Sequence, residues 1–225
     1  MRHRSSRLPG KASPDPDLIA RLHAARLYVI TPDREPDALV DLAAAALRGG
    51  ADVLQFRHKQ LARGELLQVA LRLRELASAA GALFIVNDHL DIAMMSGADG
   101  VHLGPDDITV AMARRVGGDR ILIGASASTL DAATAAKADG ADYIGCGPAF
   151  STPIKKEKAV IGPEGVAAVA AGIREPVFAI GGIDASNLAR LTALGLRRVC
   201  VIRAIADAPD PESATRRLRT MLDDR

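Results

Sequence analysis

The sequence predicts an α/β fold, a single (β/α)8 TIM barrel, on three observations. Eight short apolar runs recur along the chain, and helical spacing follows them. The runs are nearly continuous in apolar residues rather than alternating, as expected of parallel strands buried on both faces. The first run leads into Thr31-Pro32-Asp33, not into the Gly-x-Gly-x-x-Gly turn that marks the rival open doubly wound sheet.

The runs are LYVIT (27–31), VLQFR (53–57), LFIVN (83–87), GVHLG (100–104), ILIGA (121–125), YIGCG (143–147), VFAIG (177–181) and VCVIR (199–203). Between them, residues 64–80 place Leu66, Val69, Leu73 and Leu76 at spacings of three and four, the apolar stripe of a core-facing helix. Residues 187–195 do the same with Leu188, Leu191 and Leu194, and Gly195 is placed to end that helix. Asp184, Ser186 and Asn187 offer N-cap oxygens ahead of it. Gly49-Gly50, Gly81 and Gly97 punctuate other helix ends, and Met94 and Met95 read as helix-face filler.

No linker-like shift in composition interrupts 26–222, so residues 16–225 form one domain. Residues 1–15 read as a short disordered extension: Arg2, Arg4, Arg7 and Lys11 meet no acid in the first eleven residues, and no strand or motif lies there. Its deletion is expected to leave activity intact.

Composition narrows the function. Apolar residues make up 48% and charged residues 25%, which excludes a mostly disordered chain. Aromatics are 3%, too few for a base-stacking platform. Twenty-nine basic against 27 acidic residues leave a net charge of +2, too little to call for nucleic acid or a membrane as partner. No apolar run approaches the ~18 residues of a membrane span, and the basic N-terminus runs into polar residues rather than a signal-peptide apolar stretch. Cys146 and Cys200 sit in apolar runs and read as buried, reduced thiols of a cytoplasmic protein.

In such barrels the active site forms at the C-terminal ends of the strands. Those ends carry Gln55 to Lys59, Asn87-Asp88-His89, His102 to Asp107, Ser126 to Thr129, Gly147 to Lys156, Gly181-Gly182 and Arg203. Arg57, Lys59 and Lys155 would bring cations to one mouth, where they can grip phosphate. Asp88 and Asp107 come from adjacent strand ends and suit Mg²⁺ shared with substrate phosphates. Gly181-Gly182 lets backbone approach a ligand in the late loops where this fold often holds phosphate. Each has a plainer reading: solvated cations, Asp88 as a helix cap, glycines for a turn. Their convergence on one rim favours a site. His58, His89 and His102 read as packing or hydrogen-bonding residues, since their spacing matches no zinc pattern.

These residues resemble the thiamine phosphate synthase family over about 26–215. The matching elements, in order, are QFRHK (55–59), VND (86–88), GVHLGPDD (100–107), GASAST (124–129), DGADYIGCGPAFSTPIKK (139–156), AIGGI (179–183) and VIRAI (201–205). The resemblance implies coupling of the pyrophosphate ester of hydroxymethylpyrimidine to a thiazole phosphate, often a carboxylate, giving thiamine phosphate and pyrophosphate. It implies that Gln55, Arg57, Lys59, Asn87, Ser126 and Lys155 hold the pyrimidine pyrophosphate, with Lys59, Ser126 and Lys155 closest to the chemistry. It assigns Mg²⁺ to Asp88 and Asp107, and the thiazole phosphate to Thr152, Ile154, Gly182, Ile202 and Arg203. Small phosphorylated heterocycles are the implied partners, and a homodimer is a further expectation.

The chain departs from the family pattern at three places. Pro105 stands where Gln is usual, Ser151 replaces a common Pro, and Ile154 replaces a Thr. Three other readings compete. A thiazole tautomerase lacks the metal carboxylates and uses a His near the end of strand five, here Ser128. A non-catalytic thiazole phosphate or thiamine phosphate binder would need no metal pair. A sugar-phosphate epimerase would leave QFRHK and VND unexplained.

Overall fold

A computed structural model describes residues 15–151 and 159–223. All eight apolar runs are strands: β1 (Leu27–Ile30), β2 (Val53–Phe56), β3 (Leu83–Asn87), β4 (Gly100–Leu103), β5 (Leu122–Ala127), β6 (Tyr143–Cys146), β7 (Val177–Ile180) and β8 (Val199–Val201). They pair in chain order, all parallel, and β8 pairs back onto β1 to close the barrel. The helices are α1 (Pro16–Ala24), α2 (Pro36–Arg48), α3 (Arg63–Ala79), α4 (Leu90–Ser96), α5 (Val110–Gly117), α6 (Leu130–Ala138), α7 (Gly162–Gly172), α8 (Leu188–Thr192), α9 (Arg203–Ala206) and α10 (Pro211–Asp223).

The near-continuous apolar runs are explained by two cores. In β1, Leu27 and Val29 face the helices, while Tyr28 and Ile30 face the barrel interior. On α3, Leu66, Val69, Ala70, Leu73 and Ala77 are buried against the outer core. Each large aliphatic side chain so buried is worth about 2 kcal/mol in transfer free energy. α1 was not foreseen as an element. Asp15, assigned from sequence to the extension, caps it by accepting from Asp17 N, and Leu22 and Ala25 join the interior core. Residues 1–14 lie outside the described residues.

Two local readings change. α8 ends at Thr192, and Gly195, at φ 78°, follows it with its N–H on Thr192 O. The oxygens expected to cap it are engaged in the turn before it. Asp184 Oδ1 accepts from Ser186 N, Asn187 Oδ1 accepts from Asp184 N, and Asn187 Nδ2 donates to Gly182 O at 2.8 Å. Met94 and Met95 fill no core and are exposed on α4.

The opposite rim, at the strand N-termini, carries a repeated device. Gly-Ala-Asp occurs three times, at 50–52, 97–99 and 140–142, ahead of β2, β4 and β6. Each aspartate accepts from the backbone of the preceding strand: Asp52 from Leu27 N (2.9 Å), Asp99 from Phe84 N (2.8 Å) and Asp142 from Ile123 N (2.7 Å). Each also meets a helix arginine, respectively Arg219, Arg74 and Arg114. The three glycines lie at positive φ, where a side chain would be strained.

Candidate active site

At the C-terminal rim, β1 and β2 are tied by polar contacts. Arg57 N donates to Thr31 Oγ1 at 2.9 Å, and Thr31 Oγ1 donates to Arg57 O at 3.1 Å. Asp33 holds the next loop, accepting from Lys59 N at 2.8 Å and from the Arg57 guanidinium at 3.4 Å. His58 is a loop organiser: its Nδ1 accepts from Gln60 N and Leu61 N, so its Nε2 donates to Arg34 O. Its sequence reading as a hydrogen-bonding residue stands.

Asp88 is the one non-glycine residue at positive φ (62°) among the described residues. Such backbone costs energy and persists where surrounding structure fixes it. Here Asp88 N donates to His102 O at 2.8 Å, and His89 N to Asn87 O at 2.7 Å. The twist sends the Asp88 carboxylate to Lys59 Nζ and into a hydrogen bond with Asp107. Asp88 does not cap α4; His89 occupies that position. Asp107 Oδ2 accepts from Gly104 N at 2.7 Å. Burial, reinforced by the facing Asp88, pushes Asp107 above the usual carboxylate range. Burial works against Asp88 as well, but the Lys59 ammonium and the Asp107 hydrogen bond hold it below that range. Two carboxylates facing one another repel. A divalent cation would offset that repulsion, so the pair fits Mg²⁺. Among the described residues no group of three or more His, Cys, Asp or Glu converges on a metal position.

Asn87 ends β3 beside this cluster, half-buried. His89 and Asp91 meet Arg63 from α3 at its edge.

Beneath the mouth, a chain of polar side chains crosses the barrel. Gln55, from β2, is buried, and its Nε2 donates to Tyr28 Oη at 2.7 Å. Tyr28 Oη lies 2.9 Å from Tyr143 Oη, which lies 3.3 Å from His102 Nδ1. His102 Nε2 lies 3.0 Å from Ser126 Oγ on β5.

The β6–β8 side is built from backbone. A cavity of about 520 Å³ opens there, lined by Ser126, Gly147, Gly182, Ile202 and Arg203 among others. Pairing of β6 with β7 continues past the strands: Ala149 N donates to Ile180 O (2.8 Å) and Phe150 N to Gly181 O (2.9 Å). Gly181 and Gly182 both take positive φ. A Cβ on Gly181 would run into Pro148, and one on Gly182 into Ser151 O and the Phe150 side chain. The Arg203 guanidinium turns to Asp207 one turn along α9, at 2.8 Å. Thr152, Ile154 and Lys155 lie outside the described residues.

The model of the family described as thiamine monophosphate synthase matches residues 27–205. The chain belongs to that family. A thiamine-phosphate synthase of Gloeobacter violaceus is 46% identical over 199 residues, which are 88% of this chain and 58% of that protein. The chain thus spans a little under three-fifths of that relative's length. A thiamine-phosphate synthase of Methanoculleus marisnigri is 45% identical, covering 86% of this chain and 93% of its own. A solved thiamine phosphate pyrophosphorylase from Pyrococcus furiosus superposes with a TM-score of 0.83 at 36% identity, over 92% of this chain and 98% of that one.

Against this thiamine monophosphate synthase family background, three participants escaped the sequence reading. Asp33 follows β1, and the polar strand ends that stand out in the sequence begin at Gln55. Tyr28 and Tyr143 lie inside apolar runs, where nothing in the sequence sets them apart from core residues. The register His102↔Gly124 and Gly124↔Tyr143 shows the signal: a glycine between two large side chains.

Proposed function

We propose that this chain is a thiamine-phosphate synthase, joining the pyrophosphate ester of hydroxymethylpyrimidine to a thiazole phosphate and releasing pyrophosphate. The observation that carries the reading is the division of one mouth. A strained, charged cluster of Lys59, Asp88 and Asp107 stands on the β2–β4 side, and a glycine-lined cavity stands on the β6–β8 side. A pyrophosphate leaving group suits the first and a phosphate tail the second.

The reaction breaks the C–O bond to pyrophosphate, and negative charge grows on the departing oxygens. Arg57, Lys59 and Lys155 would stabilise that charge more strongly in the transition state than in the bound ester. Asp88 and Asp107 would hold Mg²⁺, which when bound neutralises pyrophosphate oxygens. The pyrimidinylmethyl cation is stabilised by its own ring, so no protein nucleophile is required. Gln55, Asn87 and Ser126 orient the pyrimidine. Gly182, Ile202 and the Arg203 backbone, with Thr152 and Ile154, set the thiazole so that its nitrogen faces the reacting carbon. A tautomerase would have no use for the Asp88–Asp107 pair.

No helix among the described residues is long and apolar enough to cross a membrane. A homodimer belongs to the same proposal. Sedimentation of the full chain tests it.

The deciding experiment mixes both substrates with the full chain, with and without Mg²⁺. Mg²⁺-dependent thiamine phosphate formation is expected. Absence of product with retained thiazole phosphate binding would turn the assignment to a binding homologue.

A further inference from the structure

Resting on that reading, we propose that His102 is a positioning residue that fixes the Ser126 hydroxyl as a donor into the mouth, through a one-way hydrogen-bond chain that starts at Gln55. The polarity follows from donor and acceptor chemistry. The Gln55 amide nitrogen can only donate, so Tyr28 Oη accepts from it at 2.7 Å. The Tyr28 proton then faces Tyr143 Oη at 2.9 Å. The Tyr143 proton in turn faces His102 Nδ1 at 3.3 Å. An imidazole that accepts at Nδ1 carries its proton on Nε2, which faces Ser126 Oγ at 3.0 Å. Ser126 therefore accepts from below, and its own proton is left for a ligand in the cavity it lines.

The surroundings enforce this chain. Gln55, Tyr28 and Tyr143 are at most 2% exposed, so water does not compete for their hydroxyl and amide groups. Burial, with the neighbouring phenol adding for Tyr28, pushes both phenols above their usual range, so both remain O–H donors. Phe178 packs edge-on against both rings, at 5.3 and 5.8 Å between centroids. Two strand glycines give the chain its room. A Cβ on Gly124 would drive into the Tyr143 ring and reach 2.6 Å from His102 Nδ1, and one on Gly145 would come 3.2 Å from His102 Cε1. The chain thus links β2 and β5, which contribute Gln55 and Ser126 from different sides of the mouth. A pyrimidine ring lying between them would meet an amide and a hydroxyl whose directions are set before it binds.

Two readouts test this. The first needs no substrate: ¹⁵N shifts of the His102 ring in the histidine-labelled full chain, assigned by their loss in H102Q. A neutral ring protonated at Nε2 is expected. A ring protonated at Nδ1, or comparable amounts of both tautomers, overturns the proposed polarity. The second is the coupling assay. H102L is expected to lower kcat/KM for the pyrimidine diphosphate on the order of 10- to 100-fold, with the KM for thiazole phosphate held. H102Q, whose amide N–H stands in for Nε2–H, recovers most of the loss, and H102N does not. In an S126A background, H102L adds little further loss; losses that multiply would overturn the link between the two residues. If H102L does not fold by circular dichroism, the Gln and Asn variants decide, and a more active H102N refutes the proposal. A wild-type chain that makes no thiamine phosphate fails the functional reading instead, and the ring-nitrogen shifts still decide the polarity.

Discussion

The two rims of the barrel use the same residue types to opposite ends. At the strand N-termini, Asp52, Asp99 and Asp142 each accept from a strand N–H and meet an arginine. Each of these three aspartates faces donors. At the strand C-termini, Asp88 faces a second carboxylate, Asp107, as well as Lys59, and takes a strained backbone to do so. The first arrangement is closed: nothing added would improve it. The second is open, since a divalent cation would relieve the like-charge contact and a phosphate would engage the ammonium. In the proposed function, the difference separates charge used for folding from charge reserved for a ligand.

Asp107→Ala tests the open side most directly. Turnover in the coupling assay should fall by about 10²- to 10³-fold. Thermal stability without Mg²⁺ should hold or rise, because one of two facing carboxyl groups is gone. A variant that loses stability but keeps turnover would reverse the assignment of the rims.

Asp99→Ala is the matching change below. It strands the buried Phe84 N–H and removes the Arg74 partner, and should cost about 2–3 kcal/mol in denaturant unfolding. Turnover per folded molecule should stay at the wild-type level. A collapse of turnover in a fully folded variant would mean the lower rim also shapes the mouth.

How much of this was legible depended on whether a side chain or a backbone carried the feature. The strands were legible because a parallel strand buried on both faces leaves an unbroken apolar run. Lys59, Asp88 and Asp107 stood out as charges at strand ends. What the sequence hid was direction. Asp88 could as well have capped α4, and it took the φ of 62° to show its carboxylate turned to Lys59. The thrice-repeated Gly-Ala-Asp was visible as letters, but each aspartate bonds to the strand before it, a partner known once the barrel order is known. From the sequence His102 reads as a packing or hydrogen-bonding residue; its link to Ser126 needs the register that sets Gly124 beside it.

Gly124→Ala probes the layer between the rims. The added methyl would strike the Tyr143 ring, and overpacking of this kind costs about 1–3 kcal/mol. Unlike the two aspartate variants, it should lower both the unfolding midpoint and the turnover per folded molecule, since it displaces His102 and Tyr143 together. Loss of stability alone would separate the interior chain from the site.

The smallest effect is expected at Arg203→Ala, and it bears on the backbone-built side. By residue type Arg203 is an obvious phosphate clamp, but its guanidinium is engaged by Asp207 at 2.8 Å in an exposed pair one helical turn apart. Such exposed pairs contribute between about 0 and 1 kcal/mol. If the thiazole phosphate is held by N–H groups around Gly182, Ile202 and Arg203, removing the side chain leaves those donors in place. The KM for thiazole phosphate should then rise by no more than about five-fold, the factor that 1 kcal/mol represents, and kcat should hold. A KM rise of a hundredfold would show instead that the guanidinium leaves Asp207 for the phosphate. The two sides of the mouth would then share one means of gripping their substrates.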